Sequence, residues 1–439
     1  MSLFNNKQSH GVHPPGNKIT ANKKIERAPL PKKVILPLSQ HIGAPSKAIV
    51  KKGDEVKVGQ KIAEAGGFVS APIHSTVSGK VSKIIEMISS VTSNVGNAIV
   101  IDADGKDDWV KLNKPSKIDK LSKKEILDQI KDAGIVGLGG ATFPTHVKLQ
   151  PPPDKKIDTI IINGCECEPY ITSDHRLMLE YGEGILKGLE IMMNVLSCNN
   201  AYIGIESNKP DAIENMKKIV SESNNSNEII VESLPAQYPM GAEKTLLKKI
   251  LGLEVPIGGL PMDVGVVVQN VGTLKAIYDA IYEGIPLIER VVTVSGAVKE
   301  PKNVISRFGT PASEIIDYCG GSASNADVMI FGGPMMGIAQ TSFETPTTKG
   351  TNSILIKKNT KEIENNCIRC GTCVENCPMN LMPLMYVAYV KKSMYDDLKD
   401  YWIDNCVECG SCAYGCPANI PLVQYIKVGK AELKKRGDN

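Results

Sequence analysis

The sequence lacks long apolar runs, a secretory signal and any sizeable net charge. Short apolar stretches such as Ile160–Ile162 and Val264–Val268 fall far below the roughly 18 residues that a membrane-spanning helix needs. The segment Met1–Gly11 contains no apolar core of a signal peptide. The 51 basic and 48 acidic residues leave a net charge of +3, which is too small for a protein that coats nucleic acid. We therefore expect a cytosolic chain that binds no nucleic acid, with about three domains at roughly 150 residues each.

Histidine is scarce as well, and none of the six histidines lies in a nucleophile motif. His146 and His175 are therefore expected to be packing or solvated residues rather than catalysts. An acid–base triad is not indicated by the sequence.

The small net charge conceals two basic ends. Residues 1–33 carry +6 and residues 427–439 carry +3, so the intervening chain carries −6. Basic ends of this kind dock on an anionic membrane or an acidic partner, or they are solvated tails. The sequence leaves both interpretations open.

Cysteine, by contrast, is abundant: the chain has 12, and eight of them lie between Cys367 and Cys416. They form two copies of the pattern C-x2-C-x2-C-x3-C-P, the spacing of bacterial two-cluster ferredoxins. Zinc ribbons use paired C-x2-C units, so zinc is the weaker alternative. In two-cluster ferredoxins the fourth cysteine of each copy ligates the other [4Fe–4S] cluster. The predicted ligands are Cys367, Cys370, Cys373 and Cys416 for cluster 1, and Cys406, Cys409, Cys412 and Cys377 for cluster 2.

The cysteines upstream of the ferredoxin pattern are not assigned to a cluster. Cys198 and Cys319 are expected to be buried thiols, because free cysteine is commonly buried. The role of Cys165, which lies beside the proposed cofactor site, is open.

Turn residues divide the chain into regions that differ in their pattern of predicted strands and helices. Together these regions predict a multidomain α/β protein. After the leader, short strands broken by glycine turns resemble the lipoyl/biotinyl barrel-sandwich hybrid. Its expected tip, Phe68–Ile73, contains no lysine, so a structural or docking module is favoured over a carrier. The predicted regions are a basic leader (1–33), a barrel-sandwich domain (34–110), an α/β domain (118–287), a β-grasp insert (288–345), a two-cluster ferredoxin-like α-helical domain (358–426) and a basic tail (427–439).

Helices and buried strands alternate in the α/β region, which predicts a mainly parallel sheet covered by helices. Ser122 and Glu125 form a capping box for a helix that should end near Asp132. A strand at Ile157–Ile162 and a helix from about Asp174 to Leu196 follow. Further predicted strands are 201–205, 228–231 and 264–268, with helices from 210, near 241–251 and near 272–282; a linker is expected at 345–350.

A glycine-rich loop, Gly137–Lys148, precedes the first of these strands, and the polar segment Asn163–Tyr170 follows it. Glycines let backbone N–H groups approach a flat ring or a phosphate closely. Polar groups beyond the carboxyl end of a strand lie where α/β sheets bind ligands. These segments, together with Gln269–Thr273 and the leader Gly11–Lys18, resemble the RnfC family of Rnf complexes. Those complexes are membrane-bound ferredoxin:NAD⁺ oxidoreductases that move Na⁺ or H⁺, and the flavoprotein domain of the family is similar to the NADH-binding subunit of respiratory complex I.

The resemblance covers nearly the whole chain and implies FMN, NAD(H) and two [4Fe–4S] clusters as cofactors. Phe143 would stack on the nucleotide, and Glu168 and Glu243 would bind NADH. The segment around Tyr238 and Glu243 matches the family only loosely. The implied FMN contacts are Gly137, Gly139, Gly140, Lys148, Asn163, Gln269, Asn270 and Thr273, with Tyr238 in the second flavin segment.

The implied mechanism is hydride exchange between NAD(H) and FMN, followed by passage of single electrons through the clusters. The implied partners are the other Rnf membrane and ferredoxin-facing subunits, and through them ferredoxin, with this chain peripheral on the cytoplasmic side of the bacterial membrane. A soluble corrin reductase with the same cofactors, an electron-relay scaffold without flavin and a lipoyl-type carrier are the alternatives. The direction of electron flow, the coupling ion and the cluster potentials are not predicted.

Overall fold

The computed structural model describes residues 10–89, 95–114, 120–223, 228–324, 326–358 and 363–437. The first nine residues of the predicted leader, the predicted start of the α/β domain at 118 and the last two residues of the tail lie outside these ranges. Among the described residues, no helix combines the length and the apolar character needed to cross a membrane. The leader contributes the first strand, β1 (Ile25–Arg27).

The predicted barrel-sandwich region consists of two antiparallel sheets. Their inward side chains, such as Val34, Leu36 and Ile62, are fully buried in one apolar core. Phe68 lies at the tip that lacks a lysine, and 73% of its surface is exposed. The strands are β2 (Lys33–Pro37), β3 (Lys47–Ala48), β4 (Glu55–Val56), β5 (Lys61–Glu64), β6 (Ile73–His74), β7 (Gly79–Ile88) and β8 (Val95–Ala103).

The next region contains a four-stranded parallel sheet with the order β11-β10-β9-β12. The predicted alternation is therefore confirmed, and parallel strands place their carboxyl ends at one edge. The strands are β9 (Thr159–Gly164), β10 (Asn200–Glu206), β11 (Glu228–Leu234) and β12 (Val266–Asn270). The helices are α1 (Lys123–Asp132), α2 (Thr145–Lys148), α3 (Ser173–Glu180), α4 (Gly182–Leu196), α5 (Pro210–Glu222), α6 (Glu243–Leu251) and α7 (Val271–Tyr278), which a π-helical turn at Asp279–Glu283 extends.

Of two predictions about helix ends, the one for α1 is confirmed and the one for the helix after β9 is wrong. The capping box of α1 is present, with reciprocal bonds between Ser122 and Glu125. The single helix predicted from Asp174 to Leu196 is wrong, because Tyr181 leaves the helical conformation and separates α3 from α4. A Cβ on Gly182 would lie 2.4 Å from Cδ1 of Ile219, so α4 begins at a close approach to α5.

A six-stranded mixed sheet follows, with the order β1-β14-β13-β17-β15-β16. It contains β1 from the leader and the strand Ser353–Lys357, which follows the predicted linker. The sheet therefore extends past residue 345. The linker prediction is wrong: Thr347, Thr348 and Lys349 are almost completely buried. The elements are β13 (Glu289–Gly296), β14 (Lys302–Arg307), α8 (Ala312–Tyr318), β15 (Val328–Phe331), β16 (Ile338–Gln340) and β17 (Ser353–Lys357).

The cysteine-rich region is helical, and its helices pack around a separate apolar core. The predicted tail from 427 is helical up to Gly437, because Ile426, Gly429 and Leu433 form a buried stripe at helical spacing. Lys430 in this helix donates to the Cys406 carbonyl oxygen over 2.6 Å. The helices are α9 (Thr372–Glu375), α10 (Pro383–Lys391), α11 (Ser411–Tyr414) and α12 (Leu422–Gly437), with 3₁₀ turns at Asp396–Tyr401 and Ile403–Asn405.

Lys349 explains why the segment around 347–349 is buried. Its ammonium donates to the carbonyl oxygens of Pro72 (2.9 Å) and Gly134 (2.7 Å), which belong to the barrel-sandwich and the α/β regions. Its backbone N–H donates to Gln40 Oε1 over 3.1 Å. Burial lowers the pKa of Lys349 to about 7. One lysine therefore joins three regions of the chain through buried hydrogen bonds.

This lysine generates a prediction for the pH dependence of stability. The unfolded chain keeps the Lys349 proton up to the ordinary pKa of 10.5, whereas the folded chain releases it near pH 7. The Lys349 contribution to the free energy of unfolding should therefore increase with pH between these values. In Lys349→Met that increase should be absent, while the exposed Lys358→Met should retain it. Denaturant titrations at pH 7 and pH 9 measure the free energy of unfolding of both variants. If the free energy of unfolding depended on pH equally in Lys349→Met and in wild type, the lowered pKa of Lys349 would be contradicted.

Candidate functional site

The glycine-rich loop lies between α1 and α2 and exposes its tip. The Gly137 N–H donates to the Phe143 carbonyl oxygen over 2.9 Å and closes the loop. Gly139 and Gly140 are exposed, and the ring of Phe143 is half-buried. A Cβ on Gly139 would lie 2.9 Å from Cβ of Asn270, whereas a Cβ on Gly140 would meet no atom of the described residues within 4 Å. The loop thus packs glycine backbone on Asn270 and leaves open space at its tip.

The carboxyl end of β12 and the start of α7 hold this loop in place. Thr273 Oγ1 accepts a bond from the Leu138 N–H over 2.9 Å. Asn270 caps α7, since its Oδ1 accepts from the Gly272 N–H over 2.8 Å. Nε2 of Gln269 is buried without a protein partner in the described structure. A buried amide with an unused donor is a group that a bound ligand can satisfy.

Lys148, at the end of α2, lies at the same edge of the sheet. Its ammonium donates to Glu243 Oε1 and to the Val268 carbonyl oxygen, each over 2.7 Å. Lys148 and Glu243 remain partly exposed. The structure therefore brings together a predicted FMN contact, Lys148, and a predicted NADH contact, Glu243, as an accessible ion pair.

Asn163 shapes the segment that follows β9. Its Nδ2 donates to the Gly241 carbonyl oxygen over 2.8 Å, and its Oδ1 accepts from the Cys165 N–H over 3.0 Å. Burial raises the pKa of the Cys165 thiol well above its ordinary value, and it raises the pKa of Cys167 to about 12. Both shifts favour the neutral thiol, as does the raised pKa of Cys198. Cys319 is also buried, as predicted.

Glu168 is engaged by the turn that follows β15 in the six-stranded sheet. Its carboxylate accepts from the backbone N–H groups of Met335 (3.1 Å) and Met336 (2.7 Å). A Cβ on Gly333 would lie 2.1 Å from Glu168 Oε2, so only glycine allows this approach. Burial raises the pKa of Glu168 to about 7, although the two N–H groups oppose that shift. In this structure Glu168 joins two domains.

Tyr238 connects the flavin segment to the ferredoxin-like region. Its hydroxyl donates to the Cys409 carbonyl oxygen over 2.6 Å. Its backbone pairs with Val12 of the leader. Val12, Tyr238 and Cys409 form a small buried cluster, and Cys167 and Met335 pack against it. The second flavin segment and the loop of predicted cluster 2 thus share one interface.

The predicted cluster 2 cysteines line a single cavity. Cys377 from the first motif copy lies in it together with the three closely spaced cysteines of the second copy. Apolar side chains such as Leu381 and Tyr386 complete its wall. This donor set fits an iron–sulfur cluster, because four cysteine thiolates are the usual ligands of a [4Fe–4S] cluster. The four cysteines are Cys377, Cys406, Cys409 and Cys412.

The predicted cluster 1 cysteines are more accessible. Cys367 and Cys370 are exposed, Cys416 is half-buried and Cys373 is buried. Burial raises the pKa of Cys373, and the neighbouring thiols Cys416, Cys367 and Cys370 raise it further. These three thiols therefore lie close enough to Cys373 to affect its ionisation. In the described residues, no three His, Cys, Asp or Glu side chains converge tightly enough for a single metal ion.

Sequence reasoning missed Asp174 at the site. Its Oδ2 accepts from Asn270 Nδ2 over 2.7 Å, while its Oδ1 is buried without a partner among the described residues. Burial, and next the nearby Glu166 carboxylate, raise the pKa of Asp174 to about 7. The sequence contains one signal of this role, an acidic residue in the first turn of the helix after β9. Acidic residues are common at that position because they stabilise the start of a helix, so the signal does not by itself indicate a binding site.

Asn270 gives a prediction about this part of the site. Asn270→Ala removes the cap of α7 and the side-chain donor to Asp174. The free energy of unfolding should fall by about 1–2 kcal/mol, the usual cost of losing such a cap. Denaturant titration measures it, with the exposed Asn199→Ala as the matched control. Equal stability of the two variants would show that Asn270 does not hold α7.

Comparison with known families agrees with the geometry. Residues 130–279 match the Nuo51 FMN-binding domain, and residues 6–106 match the RnfC barrel sandwich hybrid domain. Residues 366–420 match the 4Fe-4S dicluster domain, and residues 291–339 match the SLBB domain. FMN and two [4Fe–4S] clusters are the cofactors that these domains carry.

Among solved structures, the chain is similar to an NAD⁺-reducing [NiFe]-hydrogenase in its H₂-reduced state. The TM-score is 0.51 at 17% identity, over 70% of this chain and 63% of the other. At this identity the likeness concerns the fold.

Curated relatives are much more similar, and each is the C subunit of its complex. The relative from the proton-translocating ferredoxin:NAD⁺ oxidoreductase complex of Clostridium ljungdahlii is 51% identical over 89% of this chain and 86% of its own length. The relative from the Na⁺-translocating complex of Acetobacterium woodii is 45% identical over 88% of each chain. The relative from the ion-translocating oxidoreductase complex of Rhodobacter capsulatus is 44% identical over 85% of this chain and 73% of its own. With the barrel-sandwich, flavin and ferredoxin-like regions in the same order, the chain belongs to the RnfC family of ion-translocating ferredoxin:NAD⁺ oxidoreductase subunits.

Proposed function

We propose that this chain is the NADH, FMN and iron–sulfur subunit of an Rnf complex. It exchanges hydride between NAD(H) and FMN and passes single electrons through two [4Fe–4S] clusters, while the complex moves Na⁺ or H⁺. The observation that carries the proposal is the Tyr238–Cys409 hydrogen bond, since it joins the flavin segment to a cavity lined by four cysteines.

The residues at the carboxyl edge of the parallel sheet are suited to hold FMN. FMN, when bound, accepts a hydride and releases its electrons one at a time. Gly139 and Gly140 offer backbone to a flat ring, and the Gln269 amide offers a donor that no described residue accepts. Lys148 supplies a positive charge for a phosphate once Glu243 is displaced or shared. Phe143, half-buried beside the loop, is suited to stack on the nucleotide.

The two predicted sets of cluster ligands differ in their surroundings and in their exposure to solvent. Cys377, Cys406, Cys409 and Cys412 line the cavity that adjoins Tyr238, so we assign cluster 2 to the flavin side. Cys367, Cys370, Cys373 and Cys416 form the more exposed set, so we assign cluster 1 to the side from which electrons leave for partner subunits.

We place the chain on the cytoplasmic face of the membrane as a peripheral protein that contacts the other Rnf subunits and, through them, ferredoxin. The names of two relatives specify different ions, H⁺ and Na⁺. We also interpret the six-stranded sheet with α8 as a β-grasp module, which is supported by the antiparallel pair β13–β14 and the helix that follows.

Anaerobic purification followed by cofactor analysis tests the proposed function. The full chain should contain about eight irons, as two four-iron clusters require, and about one FMN. NADH should bleach the flavin because the nicotinamide delivers hydride to it. Flavin-free protein that NADH does not reduce would overturn the oxidoreductase assignment while leaving the ferredoxin-like region intact.

Single cysteine variants test the exchanged ligands. Cys416→Ala should remove about four irons from cluster 1, and Cys377→Ala should remove about four from cluster 2, because each thiolate completes the cluster of the other copy. Low-temperature EPR of the reduced variants identifies the cluster that remains. The buried Cys198→Ala is the matched control and should keep both. If Cys416→Ala instead lost the cavity cluster next to Tyr238, the ligand sets would be wrong.

A further inference from the structure

The described part of the leader contacts three regions before the barrel-sandwich begins. His10 bonds the Glu375 carbonyl oxygen near α9 over 2.9 Å. Val12 pairs with Tyr238, and β1 joins the edge of the six-stranded sheet. Between these contacts, the Gly16 carbonyl oxygen accepts from the Tyr170 N–H in the loop that connects β9 to α3. The described part of the leader, from His10 onward, is therefore a folded segment of the protein rather than a solvated tail.

Lys18 makes the central contact of this segment. Its ammonium donates to the carbonyl oxygens of Glu166 (2.7 Å), Glu168 (2.8 Å) and Ile171 (2.6 Å). A lysine has three N–H donors, so each finds one carbonyl. Burial lowers the pKa of Lys18, and the Glu166 carboxylate opposes that shift. The neighbouring Lys24 is exposed.

The loop that Lys18 holds leads into α3. The Glu166 carboxylate accepts from the Ser173 hydroxyl over 3.0 Å and from the Asp174 N–H over 2.8 Å. It therefore satisfies donors that the first turn of a helix leaves free. The position of the loop fixes the start of α3, and Asp174 with it.

Asp174 extends the connection to the predicted FMN contacts. It accepts from Asn270, which caps α7 and packs against Gly139. Thr273 in the same helix holds the glycine-rich loop through the Leu138 N–H. Hydrogen bonds, connected through the residues that make them and through the first turn of α7, thus join the leader ammonium to the loop where FMN is proposed to bind.

We infer that Lys18 is a positioning residue for the flavin and nicotinamide site. It fixes the loop after β9, and through Glu166, Asp174 and Asn270 it sets the geometry of the glycine-rich loop. This inference rests on the proposed function. It assigns to the described part of the leader a role inside the cofactor site.

The test compares Lys18→Met with Lys24→Met in the full chain, prepared anaerobically and reconstituted with FMN. The Lys18 variant should bind FMN about tenfold more weakly, as expected when a charged donor to a site loop is lost. The midpoint potential of its bound flavin should shift, because the hydrogen bonds around the ring move. Its iron content should equal that of Lys24→Met and wild type. Unchanged affinity and potential would overturn the inference.

Two further variants separate positioning from loss of folding. In Lys18→Ala, added propylammonium should restore FMN affinity in a saturable way, and it should not affect Lys24→Ala. Lys18→Gln keeps two N–H donors and should give an intermediate affinity. If all Lys18 variants retain wild-type FMN affinity, or if propylammonium restores nothing while the chain is folded by circular dichroism, the inference fails. Failure of wild type itself to bind FMN would instead refute the proposed function.

Discussion

The hydrogen bond from the Tyr238 hydroxyl to the Cys409 carbonyl oxygen holds the flavin region against the ferredoxin-like region. Electrons leave a flavin for an iron–sulfur cluster only if the two sites are held close, and this bond joins the two protein segments that would hold them. Around it pack Val12 from the leader, Cys167 from the loop after β9 and Met335 from the six-stranded sheet region. Distant parts of the chain therefore meet where the flavin and ferredoxin-like regions touch.

Local patterns predicted much of this architecture. The Ser122–Glu125 capping box, the strand–helix alternation and the twin cysteine motif depend on residues that are near in sequence, and the first two are confirmed in the structure. The cavity that Cys377 shares with Cys406, Cys409 and Cys412 fits the exchanged ligand that the motif predicts. The spacing of cysteines carries this information because each thiolate must reach one corner of a cluster of fixed size.

Sequence patterns do not predict the long-range hydrogen bonds that polar segments make. The stretch near Lys349 was predicted as a linker, and the leader around Lys18 as a basic end that docks on a partner or is solvated. Each lysine instead donates to backbone carbonyl oxygens far away in sequence. No periodic pattern marks such a residue. The same holds for Glu168, whose partners at Met335 and Met336 depend on a glycine turn in another domain.

The central claim is that the flavin site and the clusters form one electron-transfer unit within this chain. Mixing the anaerobic, FMN-loaded protein with a single equivalent of NADH, and freezing it at successive times for EPR, tests this claim most directly. The account predicts that the flavin is reduced first and that electrons leaving it reach the cavity cluster next to Tyr238 before the exposed cluster. Reduction of the exposed cluster before the cavity cluster would contradict it.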